Sequence, residues 1–520
     1  MPSALTTPPA CAFPWLPDQG DGTFRNPIIC ADYSDPDVIR HGDDFYLVAS
    51  SFNCTPGLPV LHSRDLVNWT LVNHALKNLP GERYREVQPG CGVWAPAIRF
   101  HAGKFWIFFP MPDEGIYVTT AAHPTGQWSE PHLVQAGKGL IDPCPLWDDD
   151  GQAYLVHAYA NSRSGIKHVL RVRPMASDGS RLLGDGEIIF NDPARHPTLE
   201  GPKLLKKDGW YYILAPAGGV ATGWQVVLRS RNIYGPYEDK VVLEQGRTPI
   251  NGPHQGELVD LPNGDWWFVH FQDAGVYGRV THLQPVQWQD GWPLMGVVSN
   301  GGGVGEPVLH FPKPAVGKCS AAVVPQTSDG FDSSKLGLQW QWHANHDAAW
   351  CSLTERPGWL RLFAQPMAIN GLGRTPNLLL QKFPARAFVV ETMLEFAPPR
   401  VGGEAGLIVT GRATAALALR QGQRGMQIVF RNDGTETVVA ETSGASVKFR
   451  VAVRDGGLCQ FSFAVREREW TAVAETFPAQ PGVWIGAKVG LYCLRVDRAA
   501  GGHADFDYVR FLPAHGPAEG

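Results

Sequence analysis

One pattern recurs five times in the first 300 residues: a glycine, one or two variable residues, aromatic residues and an apolar run. The copies are GDDFYLVAS from Gly42, GKFWIFF from Gly103, GQAYLVH from Gly151, GWYYILA from Gly209 and GDWWFVH from Gly264. Their aligned aromatic residues are 60, 48, 57 and 56 positions apart, which is about the length that one four-stranded propeller blade requires. The repeat therefore predicts a five-bladed β-propeller.

The remaining composition agrees with an all-β protein, since the chain has 58 glycines and 43 prolines and little helical periodicity. Segments 61–72, 118–134 and 228–243 each follow a copy and resemble an edge strand, a turn and an aromatic residue. A sandwich of unrelated hairpins is the alternative, because meanders also alternate turns and aromatic residues. The regular period favours the propeller.

In each copy, a residue that could serve catalysis or binding lies about a dozen positions before the aligned aromatic residue. Each of these residues is within two positions of a proline. These residues are Asp35, Trp94, Asp142, Glu200 and His254. Equivalent positions of successive blades face one another around the central channel, so we expect the five side chains to converge. Taken singly, an Asp-Pro or Glu-Gly-Pro sequence is more typical of a turn. A site is indicated only because the residues occupy the same position in their repeats.

Three carboxylates in a poorly hydrated funnel cannot all ionise without a large free-energy cost. We therefore expect the pKa of at least one to rise while the others stay low. Glu200 could hold a proton through repulsion from its neighbours, whereas Asp35 has hydroxyls and backbone amides nearby and could stay ionised. Such a division suits acid and base catalysis at one site.

Six ordered blocks between residues 26 and 288 resemble glycoside hydrolase family 43, the β-xylosidases and α-L-arabinofuranosidases built on a five-bladed propeller. The blocks are NPIICADYSDPDVI, WAPAIRF, IDPCPLWDDDGQAYL, EGPKLLKKDGWYYIL, GPHQGELVD and YGRVTHLQPVQW. The resemblance implies that Asp35 is the general base, Glu200 the general acid and Asp142 the carboxylate that tunes and orients the acid. Asp37 is then a flanking position.

The same resemblance implies the substrate contacts. Arg279 matches an arginine that contacts the terminal sugar, and Trp94 and Phe52 resemble apolar walls against which a pentose packs. His254 matches a histidine that helps to hold a calcium or other cation, often through water, although a core histidine with satisfied hydrogen bonds is an equal alternative. The chemistry itself is expected to need no cofactor.

The repeat stops near residue 310, so we expect a catalytic propeller over 1–310, an exposed Pro-containing linker over 311–325 and a second domain over 326–520. Alternating segments in the last part predict an antiparallel β-sandwich, which resembles the concanavalin-like domain of this family. Its four clustered tryptophans, Trp340, Trp342, Trp350 and Trp359, are expected to be core residues rather than a sugar platform.

We also expect the sandwich to close one side of the catalytic pocket, as the resemblance implies, which would make the enzyme exo-acting. Asp332 and Asp505 are candidates for a structural calcium site in this domain.

Composition excludes several other classes of protein. The net charge of -5, with 18% charged residues, gives no reason to expect nucleic acid or a membrane surface as a partner. The N-terminal 20 residues have no basic segment followed by an apolar one, so no signal peptide and a cytoplasmic location are expected. The nine cysteines are scattered and form no CxxC pair, so they are expected to be reduced.

The resemblance therefore implies an exo-acting, inverting glycosidase that releases terminal β-D-xylose from xylo-oligosaccharides or arabinoxylan fragments. Two alternatives stay open at this point. α-L-Arabinofuranosidase could be the main activity, because small steric differences discriminate by only about 1–3 kcal/mol. A non-catalytic carbohydrate-binding propeller is the second, because a fold alone does not prove catalysis. Oligomeric state is not predicted.

Overall fold

The computed structural model of the chain describes residues 15–298, 303–317, 321–398, 400–465, 469–495 and 501–514. Five sheets, each built on four consecutive antiparallel strands, make up the N-terminal half. The innermost strand of the first contacts those of the second and the fifth, which closes a ring. The predicted five-bladed β-propeller is thus confirmed. Residues 1–14, which carry most of the segment used to predict location, lie outside the described ranges.

Blade one comprises Asp37–His41, Asp44–Val48, Gly57–Ser63 and Thr70–Leu76. Blade two comprises Ala97–His101, Lys104–Met111, Gly115–Ala121 and His132–Ala136. Blade three comprises Leu140–Trp147, Ala153–Tyr159, Val169–Met175 and Glu187–Asn191. Blade four comprises Lys203–Lys207, Trp210–Ala217, Trp224–Ser230 and Glu238–Leu243, with Gly305–Glu306 and Val297–Val298 added at its edge. Blade five comprises His254–Asp260, Trp266–Asp273, Arg279–Gln289 and Trp292–Met295.

The repeated glycine has a structural reason in every blade. Each copy occupies the turn between the first and second strands with φ between 64° and 92°: Gly42, Gly103, Gly151, Gly209 and Gly264. This left-handed conformation is readily adopted by glycine and suits a tight hairpin. The aromatic and apolar run that follows forms the second strand, which is largely buried because each blade packs between two others.

A buried polar network connects all five blades around the axis. Asp37 of blade one accepts a hydrogen bond of 2.9 Å from Arg99 of blade two and forms a 2.7 Å ion pair with Lys203 of blade four. Arg99 also contacts Glu257 of blade five at 2.5 Å and the Cys144 thiol of blade three at 2.8 Å. Asp37 is thus structural, as expected of a flanking position, and Cys144 has a defined place in this network.

The C-terminal domain is a β-sandwich, as predicted. One sheet contains Gln341–Trp342, Leu379–Lys382, Lys488–Arg495, Glu404–Thr410, Thr414–Gln421, Met426–Asn432 and Thr435–Thr442, in this order, with Gln365–Pro366 beside Lys488–Arg495. The other contains Cys351–Ser352, Leu360–Phe363, His503–Pro513, Phe388–Ala397, Ser446–Arg454, Leu458–Ala464 and Thr471–Pro478. Side chains from the facing sides of both sheets form one hydrophobic core.

The helices are short. One α-helical turn spans Asn161–Ser164, and 3₁₀ turns span Glu82–Arg85, Gly275–Tyr277, Ala348–Trp350 and Leu372–Arg374. No helix in the described ranges has the length and apolar character that a transmembrane span requires. The seven cysteines within these ranges are free thiols.

Two details of the sandwich bear on the sequence-based expectations. Trp340 and Trp342 are core residues, as expected, whereas Trp350 and Trp359 are only partly buried. Asp505 accepts hydrogen bonds from Arg361 at 2.7 and 2.9 Å and from Arg356 at 3.1 Å. A carboxylate whose two oxygens already accept hydrogen bonds from guanidinium groups is a poor calcium ligand, so these contacts do not support the calcium candidate at Asp505.

The predicted linker is more closely held than its sequence suggests. His310–Pro312 pairs with Thr23–Arg25 as a two-stranded sheet. The Lys313 ammonium then contacts Asp18 at 2.6 Å and Asp65 at 3.4 Å on the propeller. Residues 318–320 lie outside the described part of the chain. The first part of the segment is thus fixed against the propeller rather than free in solvent.

The two domains pack directly against each other near the central channel. Thr55, in the loop after the first repeat, exchanges backbone hydrogen bonds of 3.0 and 2.6 Å with Trp342 of the sandwich. Asn53 donates to the carbonyl oxygen of His343 at 2.6 Å. Tyr277 and Val280 of the propeller belong to the core of the sandwich. These contacts fix propeller loops that carry candidate site residues.

Candidate active site

The three candidate carboxylates lie where the chain enters or begins the innermost strands of blades one, three and four. Asp35 precedes Asp37–His41, and Glu200 precedes Lys203–Lys207. Asp142 lies at the irregularity between Ile141 and Cys144, where the strand register shifts. Asp35 and Asp142 share the same left-handed backbone, with φ 55°. This conformation is uncommon outside glycine, and such strain typically marks functional positions.

Asp35 is buried and surrounded by donors. Its Oδ1 lies 2.8 Å from Nη1 of Arg279. Its Oδ2 accepts hydrogen bonds from the hydroxyls of Ser34 at 2.7 Å and Ser50 at 2.5 Å. A cationic guanidinium and two hydroxyl donors thus hold both oxygens of this carboxylate in place. This environment suits a base rather than a proton donor.

A backbone hydrogen bond holds Asp142 next to the segment that carries Glu200. The N–H of Gly201, which follows Glu200, donates to Oδ2 of Asp142 at 2.8 Å. The amide of Gln255 is 3.3 Å from the other oxygen of Asp142. Glu200 has 32% of its side chain exposed, so it is the member of the pair that opens toward solvent. Asp142 is buried behind it.

The pKa values of Glu200 and Asp142 are both raised, so the expected rise is found but is not confined to the acid candidate. Burial, together with the negative charges of Asp142 and Asp35, raises the pKa of Glu200 to about 8, while Arg279 opposes the shift. Burial also raises the pKa of Asp142 to about 6, and the Gly201 N–H opposes this shift. Glu200 is therefore protonated at neutral pH. The mutual effect on pKa means that the three groups share one site, as the shared phase of the repeats predicts.

Aromatic side chains wall the pocket from both domains. The ring centroids of Phe52 and Trp94 are 6.3 Å apart, and those of Trp94 and Trp484 are 6.5 Å apart. Trp484 belongs to the sandwich and is 47% exposed, whereas Phe52 is buried and supports the wall from behind. The Arg279 guanidinium lies 5.9 Å from the Trp484 ring. The sandwich thus contributes directly to one side of the pocket.

His254 lies beside the acid candidate. It is 1% exposed, and its Nε2 is 3.6 Å from Oε1 of Glu200. Burial lowers its pKa to about 3, with Arg279 adding to the shift, so the imidazole is neutral. Neither ring nitrogen has a hydrogen-bond partner among the described residues, which fits an additional polar partner such as water.

The fit to a directly coordinated cation is poor. Within the described ranges no group of three or more His, Cys, Asp or Glu side chains is placed to hold a metal ion. One neutral imidazole supplies a single ligand, whereas calcium takes six to eight oxygen ligands. Only a largely hydrated ion that contacts His254 would agree with these residues.

Asp32 connects the two domains at the site. Its Oδ1 accepts the backbone N–H of Arg279 at 2.9 Å, and its Oδ2 accepts that of Gly486 at 2.9 Å. Gly486 lies two residues after Trp484. A single buried carboxylate thus fixes both the strand that carries Arg279 and the sandwich loop that carries Trp484.

The sequence-based reasoning identified seven candidate residues, and the structure brings them to one place: Asp35, Phe52, Trp94, Asp142, Glu200, His254 and Arg279. It missed Asp32, Ser50, Gln255 and Trp484. Ser50 and Gln255 stand in or next to quoted repeat blocks and could have been found by asking which polar residues share the phase of the carboxylates. Trp484 has no signal in the propeller repeat, since it comes from the other domain.

Comparison with known proteins agrees with this site. The family model "Glycosyl hydrolases family 43" matches residues 24–293, and "Beta xylosidase C-terminal Concanavalin A-like domain" matches residues 328–512. A putative beta-xylosidase of Xylanibacter ruminicola is 41% identical over 481 residues, covering 91% of this chain and 86% of the relative. A non-reducing end alpha-L-arabinofuranosidase of Bacteroides ovatus is 30% identical and covers 94% of each chain.

A solved structure extends the similarity to the whole architecture. The family 43 protein of Bacillus licheniformis superposes with a TM-score of 0.82 at 26% identity, covering 94% of this chain and 99% of that one. The family match spans more than half of the sequence and includes every candidate residue of the propeller. The alternative of a non-catalytic propeller is therefore set aside, and the chain belongs to glycosyl hydrolase family 43.

Proposed function

We propose that this protein is an exo-acting, inverting glycosidase that releases terminal β-D-xylose from xylo-oligosaccharides or arabinoxylan fragments. The observation that carries the proposal is the division within one buried site. Glu200 holds a proton at neutral pH, while Asp35 is paired with Arg279. The names of the relatives support the choice of substrate, since one is a putative beta-xylosidase.

Each residue then has a distinct task. Asp35 removes a proton from a water molecule that attacks the anomeric carbon, and Glu200 protonates the departing glycosidic oxygen. Asp142 keeps Glu200 protonated through its negative charge and holds the Gly201 backbone. This division corresponds to single displacement through an oxocarbenium-like transition state. Trp94 and Trp484 provide apolar faces on which a pentose ring can pack.

α-L-Arabinofuranosidase activity is the second candidate. It is favoured by the relative from Bacteroides ovatus, whose name gives that activity. Both sugars present similar hydroxyl patterns to one small pocket, and a small steric difference discriminates by only about 1–3 kcal/mol. We therefore expect β-xyloside hydrolysis to dominate and α-arabinofuranoside hydrolysis to be detectable.

Proton NMR of the first-formed sugar tests the mechanism. From a β-xyloside we expect α-xylose to appear first, because single displacement inverts the anomeric carbon. A product profile on xylobiose, arabinoxylan and arabinan, measured in parallel, tests the mode of attack, and only monosaccharide should be released. β-Xylose as the first product would disprove inversion, and internal oligosaccharides from xylan would disprove exo action.

Removal of metal ions should have little effect on the chemistry. Both proton transfers are assigned to carboxyl groups, and an ion near His254 would act on the structure of the channel only. After dialysis against EDTA we expect kcat to stay within about twofold of its starting value, since neither proton transfer uses a Lewis acid. Restoration of a larger loss by calcium, and not by magnesium, would instead assign the cation a part in the reaction.

A further inference from the structure

A second cavity lies at the junction of the two domains. Its volume is about 740 Å³, within the range of sites that bind sugar-sized molecules. The propeller contributes Asn53 and Pro89, and the sandwich contributes residues from segments 367–374, 410–414, 431–434 and 482–488. Asn53 follows Phe52, and Val483 precedes Trp484, so the cavity adjoins the catalytic pocket across a shared wall.

The charged residues that line the cavity are mostly cationic. They are Arg374, Arg412, Arg431, Lys488 and Asp433. Arg431 is already neutralised, since it forms a 2.9 Å ion pair with Glu404. Among the described residues, Arg374, Arg412 and Lys488 form no ion pair with a carboxylate. Asp433 is the single acidic residue of the lining, so the cavity still carries a surplus of positive charge.

Two of the polar groups that line the cavity are nine-tenths or more buried. Lys488 is 4% exposed, and its ammonium lies 2.9 Å from the thiol of Cys54 instead of an acid. His343 is 9% exposed, and its Nδ1 is buried without a hydrogen-bond partner among the described residues. Burial, together with the positive charges of Lys488 and Arg374, lowers the pKa of His343 to about 3. All three groups line the same cavity.

A buried ammonium without a carboxylate and a buried nitrogen without a partner are both costly. A bound anion that accepts hydrogen bonds would offset the first cost, and a ligand hydroxyl could satisfy the second. The guanidinium groups of Arg374 and Arg412 are exposed at the same cavity and offer the planar donors that carboxylates accept in pairs. The hydroxyls of Thr410 and Thr414 are hydrogen-bonded to each other at 2.9 Å, and the pair keeps one O–H donor and acceptor lone pairs of the kind that bind sugars.

We propose that this cavity binds a sugar-sized ligand that carries a carboxylate, of the chemical class of uronic acids. The carboxylate would lie among Lys488, Arg374 and Arg412, and the ring hydroxyls would face Thr410 and Thr414. The ligand has two sources. It is either an acidic branch on the part of the substrate beyond the scissile bond, which rests on the proposed function, or a free sugar acid.

Binding by the full chain is measured by calorimetry with glucuronate and glucose, which differ in the oxidation state of C6 only. Saturating xylose is present to fill the catalytic pocket. We expect glucuronate to bind at least about tenfold more tightly than glucose, because its carboxylate accepts charge-assisted hydrogen bonds that the C6 hydroxyl of glucose does not form. No binding of glucuronate, or equal binding of the two sugars, would overturn the proposal.

The exposed arginines allow a variant that should keep its fold. In Arg374→Gln/Arg412→Gln we expect glucuronate binding to weaken by about tenfold or more. The matched control is Arg454→Gln, an exposed arginine of the same domain that does not line the cavity, and it should bind like the unaltered protein. Equal binding by the double variant and the control would contradict the proposed site.

Kinetics separate the two sources. If the ligand is a branch, the double variant should lose about tenfold in kcat/KM on an acid-branched xylo-oligosaccharide and nothing on xylobiose. If the ligand is free, both substrates should be cleaved as before while glucuronate binding is still lost. The unaltered protein could bind glucuronate and hydrolyse neither substrate. That result would disprove the proposed function and leave the cavity assignment intact.

Discussion

Replacement of Glu200 by alanine should lower kcat/KM for xylobiose by about 10²- to 10⁴-fold, the range that a positioned proton donor contributes. The loss should shrink to less than about tenfold on an aryl xyloside whose leaving group needs no protonation. Asp35→Ala should lose activity on both substrates, because water activation is needed for either. Steady-state kinetics with the two substrates measure this difference.

The comparison of Glu200→Ala with Asp35→Ala needs a control variant that lacks a carboxylate outside the active site. Glu187→Ala removes an exposed carboxylate of the neighbouring blade and should behave like the unaltered protein on both substrates. The assignment fails if Asp35→Ala keeps most of its activity. It also fails if the activated leaving group rescues Asp35→Ala and leaves Glu200→Ala inactive, since the two roles would then be reversed.

The alkaline limb of the pH–rate profile should move to lower pH in Asp142→Asn. Glu200 donates a proton only while it is protonated, so kcat/KM falls as pH rises through its pKa, which is about 8. The negative charge of Asp142 is the second-largest cause of this raised pKa, and burial is the largest. Its removal should therefore lower the upper apparent pKa by about one unit, a typical effect of one adjacent charge.

Profiles of kcat/KM on xylobiose from pH 4 to about pH 10, a span chosen to bracket the usual carboxyl range and the raised pKa, measure the shift. The upper apparent pKa belongs to the interacting pair, so the difference between variants is the informative quantity. Asp149→Asn, an exposed aspartate of the same blade, should leave both limbs in place. An unchanged alkaline limb in Asp142→Asn would show that Asp142 does not tune the acid.

The fold was predictable because its repeat is local. Each glycine, such as Gly103 or Gly264, lies in a hairpin turn whose conformation depends only on residues adjacent in sequence. The aromatic run that follows it is largely buried in every blade. Equivalent positions in a ring face the same axis, so the phase of Asp35, Asp142 and Glu200 was enough to place them together. Strand alternation likewise identified the sandwich.

The features that sequence did not reveal depend on contacts between distant segments. The hydrogen bonds from Asp32 to Arg279 and to Gly486 join three parts of the chain that share no motif. Trp484 reaches the pocket only because the sandwich packs on the propeller. The arginine partners of Asp505 come from other segments of the chain, so the sequence could not reveal them.

The double role of Asp32 has a consequence for chimeric enzymes. A sandwich transplanted from a relative would reproduce this catalytic pocket only if its loop brings a backbone N–H to the place that Gly486 occupies. A chimera that is joined at the domain boundary must therefore also satisfy the hydrogen bond of Asp32, which lies near the N-terminus. Libraries that exchange whole domains should therefore vary Asp32 and the 482–488 loop together, as one cassette.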